Sequence, residues 1–207
     1  MCSSIVEIHG AHGYIVAQFL SPEINQRTDE FGGSLENRAR LLFAIIDGIR
    51  EQCGPDFILG VRLSPERFGL RLAEMIEVAQ RLLAEQKIDF LDMSLWDVFK
   101  EPAEEEFAGR TLMSYFTELD RGDVRLGVAG KIRTPEDAER ALAAGADWVM
   151  LGRAAILHHD FPNRYEADPR FEPVDNPVTR QYLADEGLSE PFIEYMAGWK
   201  GFVTDEG

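Results

Sequence analysis

Two histidines and a tyrosine crowd the run His9-Gly10-Ala11-His12-Gly13-Tyr14. An imidazole pair beside a phenol could handle a ligand, could hold a metal, or could bond only within its own loop. The sequence predicts a short apolar strand over Ile5 to Ile8 that delivers these groups into a polar, glycine-rich loop, where ligand-handling residues commonly sit on α/β folds. Zinc suits the pair poorly, because neither an HExxH pattern nor a cysteine partner accompanies it. A second chemical signal is Arg62, a charge inside the apolar run Phe57-Ile58-Leu59-Gly60-Val61-Arg62-Leu63. Its plain reading is a buried ion pair with Asp92 or Glu7; its functional reading is a cation at a site. A third is glycine at the ends of two later strands, Gly130 and Gly152, the latter followed by Arg153. Glycine ends with an arginine match the phosphate site of parallel barrels, although Gly152-Arg153 alone is a weak signal.

These groups need elements to position them. Ser34 caps a predicted helix from Leu35 to about Ile49 with Leu41, Leu42, Ile45, Ile46 and Ile49 as its apolar stripe, and Cys53-Gly54-Pro55 stops it. Phe57 to Leu63 reads as a buried strand, Leu72 to Glu85 as a helix with Met75, Ile76, Ala79, Leu82 and Leu83 inward, and Phe90 to Ser94 as the next strand. The acidic stretch from Leu95 to Gly109 is either a lid or a solvated excursion. A weak helix over Ser114 to Asp120 precedes a strand over Arg125 to Gly130. Thr134-Pro135-Glu136-Asp137 is a strong helix start, and Trp148 to Leu151 makes the fifth strand. Short buried strands alternating with amphipathic helices imply an all-parallel α/β sheet, doubly wound or closed as a barrel. Polar groups at successive strand ends, His9 and His12, Arg62, Ser94, Gly130, and Gly152 with Arg153, favour the catalytic rim of a barrel. The proline-broken stretch after Phe161, helical near Pro191 to Trp199, is expected to pack on the barrel exterior.

Composition narrows the function classes. With 207 residues and 45% apolar content the chain can bury a core, and a net charge of -16 with no Lys/Arg cluster argues against nucleic acid. No apolar run approaches a membrane span, and no basic region followed by a hydrophobic stretch opens the chain. Cys2 and Cys53 form no CxxC and read as free thiols, which fits a reducing, cytoplasmic setting.

The run Val6 to Tyr14, the block Asn25 to Arg38, the strand Gly60-Val61-Arg62-Leu63-Ser64 and the ending Val149-Met150-Leu151-Gly152-Arg153 together resemble the Old Yellow Enzyme family of NAD(P)H:flavin oxidoreductases. The resemblance implies an FMN-binding (β/α)₈ barrel represented by its strands four to eight, with residues 1–160 in the barrel and 161–207 as a helical extension. It implies that His9 and His12 hold the carbonyl oxygen of an enone-type small molecule and that Tyr14 donates the proton that completes alkene reduction. Arg62 then resembles the arginine at the flavin's N1/C2 carbonyl edge, and Gly130, Gly152 and Arg153 resemble the FMN phosphate grip. The block Asn25 to Arg38 is expected to shape a loop and a helix start. NAD(P)H is the implied hydride donor.

A full barrel takes about 250 residues and eight strands, and five are read here. The first three strands of the family are expected to be missing, which leaves sheet edges and interior faces to be completed by a homo-oligomer or an N-terminal partner chain. The competing reading is an inactive fragment or a non-catalytic interaction module. A phosphosugar-isomerase type of barrel fits less well, because no acid or lysine base replaces the histidines and tyrosine.

Overall fold

In the computed structural model, which describes residues 4–204, five strands lie side by side, all parallel and in chain order. They are β1 (Ile5–Gly10), β2 (Ile58–Leu63), β3 (Phe90–Ser94), β4 (Arg125–Ala129) and β5 (Trp148–Met150). Between them run the helices α1 (Ile15–Leu20), α2 (Leu35–Cys53), α3 (Leu72–Glu85), α4 (Ser114–Thr117) and α5 (Pro135–Ala143). In a parallel sheet whose strand order does not reverse, crossovers of the usual right hand place connecting helices on one face. Burial follows this rule. Ile8, Val61, Leu91 and Leu126 form one buried row across the register and Leu63, Met93 and Val128 the next.

The opposite face carries different chemistry. His9, Arg62, Asp92, Gly127 and Trp148 lie in one row, with Glu7, Gly60, Phe90 and Arg125 in the row before it. Two glycines here make room for rings: a Cβ on Gly60 would stand 2.0 Å from Phe90, and one on Gly127 would stand 2.3 Å from Trp148. Ile5 and Ile58 remain 49% and 44% exposed at the strand starts, so this inner face is largely uncovered.

Local chemistry sets the helix ends. Ser34 Oγ accepts the Asn37 N–H, and Gly54, at φ +78°, stops α2 four residues beyond the expected end. The block Asn25 to Arg38 is structural, as its sequence suggests. Asn25 Nδ2 donates to the Phe19 and Phe31 carbonyls, and buried Arg38 reaches the Gly33 and Leu20 carbonyls and forks onto Glu74 of α3 at 2.7 and 3.0 Å. The loop after β3 is tied down. Glu66 accepts the Ala103 N–H at 2.9 Å and pairs with Lys100, while Glu104 Oε1 accepts the Leu72 N–H at 2.6 Å and caps α3. Cys53 is an exposed free thiol; Cys2 lies outside the described residues.

The chain divides into two compact units, one running to Gly130 and including Ala141–Met150, the other formed by Lys131–Arg140 and Leu151–Gly207. In the second, Thr134 Oγ1 accepts the Asp137 N–H at 3.1 Å, the helix start read from sequence. Helices α6 (Arg153–Leu157), α7 (Phe161–Ala167), α8 (Arg180–Asp185) and α9 (Glu190–Ala197) accompany a two-residue parallel pair, β6 (Val178–Thr179) and β7 (Val203–Thr204), which sequence did not suggest. Leu157, Val178, Leu183, Ile193, Met196 and Phe202 form a core of its own. Arg164 bridges Asp160 and Glu186 at 2.6 and 2.9 Å. Among the described residues, no helix is long and apolar enough to cross a membrane.

Candidate active site

The first strand runs two residues further than its apolar stretch, so His9 is a strand residue and not part of the loop. The ladder continues because His9 and Gly10 pair with Arg62 and Leu63. The chain then turns through His12 at φ +58° and Gly13 at φ +75°, and Tyr14 follows with its N–H bonded to the Ala11 carbonyl at 3.2 Å. A left-handed histidine is uncommon and marks a turn held by its surroundings. The result brings three rings together: His9 and His12 at 5.2 Å between centroids, His9 and Tyr14 at 5.0 Å. Tyr14 is 61% exposed.

Residues far away in sequence hold this cluster. The His12 N–H donates to Ser64 Oγ at 3.1 Å, and His12 Nε2 lies 2.7 Å from Ser94 Oγ. Trp96, itself at φ +65°, sets its ring 6.0 Å from that of His12, carries the Arg67 guanidinium at 4.2 Å and meets Phe68 at 6.1 Å. Arg67 and Phe68 are left-handed too. From sequence Ser94 was only one of the polar strand ends and Ser64 only the last residue of the motif Gly60 to Ser64, and Trp96 carried no signal at all.

Arg62 lies beside His9 in the register, with its Nε 3.0 Å from Asp92 Oδ2. The ion pair expected from the plain reading is therefore present. Its angles are not those of a hydrogen bond, since the Nε and both Asp92 oxygens are buried without a hydrogen-bonded partner. Proximity here is a charge contact only. Burial pushes the Asp92 carboxyl up to about 6, against the pull of Arg62 and with a smaller push from Glu7. Burial also lowers both histidines, and the charge of Arg62 lowers them further. The imidazoles are thus neutral near pH 7, each with one N–H and one lone pair.

The three remaining candidates differ in their surroundings. Gly130 ends the first segment of the first unit at φ +152°, and a Cβ there would lie 2.7 Å from the Asp97 nitrogen and 2.8 Å from the Trp96 carbonyl carbon. The loop after β3 alone requires glycine at this point. Gly152 and Arg153 belong to the second unit, where a Cβ on Gly152 would meet nothing within 4 Å. Exposed Arg153 stands 5.5 Å over the Trp199 ring.

This chain is similar to known proteins over most of its length. The model of the NADH:flavin oxidoreductase / NADH oxidase family matches residues 3–170. The chain is 31% identical over 205 residues to the "Probable NADH-dependent flavin oxidoreductase YqiG" of Bacillus subtilis, covering 96% of this chain and 55% of that protein. It is 33% identical to 12-oxophytodienoate reductase 2 of Arabidopsis thaliana, covering 92% and 49%. Among solved structures, morphinone reductase in complex with tetrahydroNAD superposes with a TM-score of 0.63 at 30% identity, covering 83% of this chain and 46% of that one. The chain thus spans about half the length of the relatives it matches. On the family match over residues 3–170, and with the α/β parallel sheet it shares with these relatives, the chain belongs to the NADH:flavin oxidoreductase / NADH oxidase family, that of the Old Yellow Enzymes.

Proposed function

We propose that this chain carries the substrate-handling side of an FMN-dependent oxidoreductase that uses NAD(P)H to reduce activated, α,β-unsaturated alkenes. The observation that carries the reading is the cluster of His9, His12 and Tyr14 beside Arg62 at the strand ends. Two neutral imidazoles can donate hydrogen bonds to one carbonyl oxygen and draw electron density from the conjugated alkene. Tyr14, exposed beside His9, can then hand its phenolic proton to the α-carbon. FMN, when bound, supplies the hydride that adds at the β-carbon. The donor set fits that cofactor. Arg62 is partly exposed, with Asp92 holding its Nε side, which suits the electron-rich carbonyl edge of a flavin ring. Taken each within its own unit, Gly152 and Arg153 are proposed as phosphate contacts, with the open space at Gly152 and the exposed guanidinium of Arg153 in favour, while Gly130 is proposed on the family resemblance alone.

The same reading takes the five strands as the fourth to eighth of a (β/α)₈ barrel. Polypeptide equivalent to the rest of the relatives' length would then cover the open inner face, and a reducing, cytoplasmic setting suits the free thiol of Cys53. The test is the visible spectrum of the chain with FMN, alone and supplied with the first half of a relative's barrel, followed by NAD(P)H oxidation with a cyclic enone. A bound-flavin spectrum is expected. Tyr14→Phe is expected to slow alkene reduction by about 10²–10⁴-fold while leaving reduction of the flavin by NAD(P)H in place. A spectrum identical to free FMN in both preparations overturns the reading.

A further inference from the structure

We propose that the Ser94 hydroxyl fixes the tautomer of His12, so that this imidazole carries its proton on Nδ1 and presents that N–H as its free donor. Ser94 closes β3, is 6% exposed, and lies 2.7 Å from His12 Nε2. Among the described residues, His12 Nε2 is the only hydrogen-bond partner of that hydroxyl. Two arrangements are open to the pair. If Nε2 carried the proton it would donate to Ser94 Oγ, and the buried hydroxyl hydrogen would have no acceptor, which is unfavourable. If Ser94 donates to the Nε2 lone pair, the hydroxyl is satisfied and the ring proton must sit on Nδ1. The second arrangement alone leaves no buried group unmade.

The rest of the residue is fixed to match. Fully buried Ser64, just past β2, accepts the His12 backbone N–H at 3.1 Å, and the rings of His9 and Trp96 stand 5.2 and 6.0 Å from that of His12. Burial, then the charge of Arg62, keeps the ring unprotonated at neutral pH, so it has a tautomer to choose. Ser94 is thereby a positioning residue acting through His12. Its usefulness rests on the proposed meeting of His12 with a carbonyl, but the tautomer can be read without any substrate.

The experiment is a long-range ¹H–¹⁵N spectrum of the full chain labelled with ¹⁵N-histidine at neutral pH, with the His12 signals assigned by His12→Asn. A protonated Nδ1 and a bare Nε2 are expected in the wild type. Ser94→Ala is expected to move the proton toward Nε2, and Ser94→Thr to restore the wild-type pattern. A wild-type Nε2–H, or a pattern that survives Ser94→Ala, overturns the assignment; the wild-type spectrum decides even where the alanine variant does not fold. Adding FMN and a cyclic enone tests the substrate reading separately. An unshifted His12 Nδ1 signal then counts against carbonyl binding and leaves the tautomer standing.

Discussion

Asp92 is a fully buried carboxylate whose two oxygens make no hydrogen bond, although a guanidinium nitrogen lies 3.0 Å from one of them. Its carboxyl is pushed up to about 6, so the folded state holds this proton over a range where the unfolded chain has released it. The sign follows from linkage. The contribution of Asp92 to stability is most favourable below the ordinary value of 3.8 and declines as pH rises through about 6, by up to about 3 kcal/mol for a shift of this size. Unfolding by denaturant across roughly pH 4 to 8, compared with Asp92→Asn, isolates this group from other carboxylates. The wild type should lose ground against the variant as pH rises through that window, and a flat difference would remove the assignment. At this scale the sequence was legible where the chemistry is local. His9, His12 and Tyr14 lie within six residues, and Arg62 stands out against its apolar run. Ser64 and Ser94 were not legible as partners of His12, because they come from 52 and 82 residues away and only the strand register brings them to it.

Helix α3 shows how one element borrows from another. The side chain of Arg71, its N-cap residue, makes no capping bond, and Glu104 from the loop after β3 accepts the Leu72 N–H instead. An acceptor at a helix N-terminus satisfies an orphan donor and places negative charge at the positive end of the dipole. Glu104→Ala should therefore cost about 1 kcal/mol in denaturant unfolding, and Glu104→Gln less; unchanged stability in the alanine variant would mean the cap is idle. The same loop had two readings from sequence, lid or solvated excursion, and its ties to Glu66 and α3 depend on contacts 32 to 37 residues apart. Elements with strong periodicity were read to the residue, as at Leu72–Glu85 and Phe90–Ser94. The apolar stripe of α2 ends at Ile49, but the helix runs on to the Cys53-Gly54-Pro55 stop that the sequence marks. In between, the Arg50 guanidinium donates to the Phe57 and Lys87 carbonyls. The β6–β7 pair was missed because two-residue strands carry no period.

For the molecule as a whole, the uncovered face of the sheet and the net charge act against each other. A parallel sheet ordinarily has both faces covered, yet here Ile5, Ile58, Phe90, Trp148 and Met150 line an open hollow of about 980 Å³. A contiguous apolar surface of this kind invites association, and β1 and β5 have no further strand beside them among the described residues. The sequence made this foreseeable from a count of five strands, but not which residues would stand on the open face, since that depends on register. A net charge of -16 keeps copies of the chain apart at neutral pH, and this repulsion vanishes near the sequence pI of about 4.6. The folded chain should accordingly bind an uncharged solvatochromic dye at neutral pH and self-associate increasingly as pH falls toward that value. Ile58→Glu puts a charge at an exposed inner-face position without disturbing the helix-covered core, so it should weaken both effects together. Dye binding that ignores the substitution would mean that the apolar surface sensed in solution lies elsewhere, and that the inner face is already covered by some other contact.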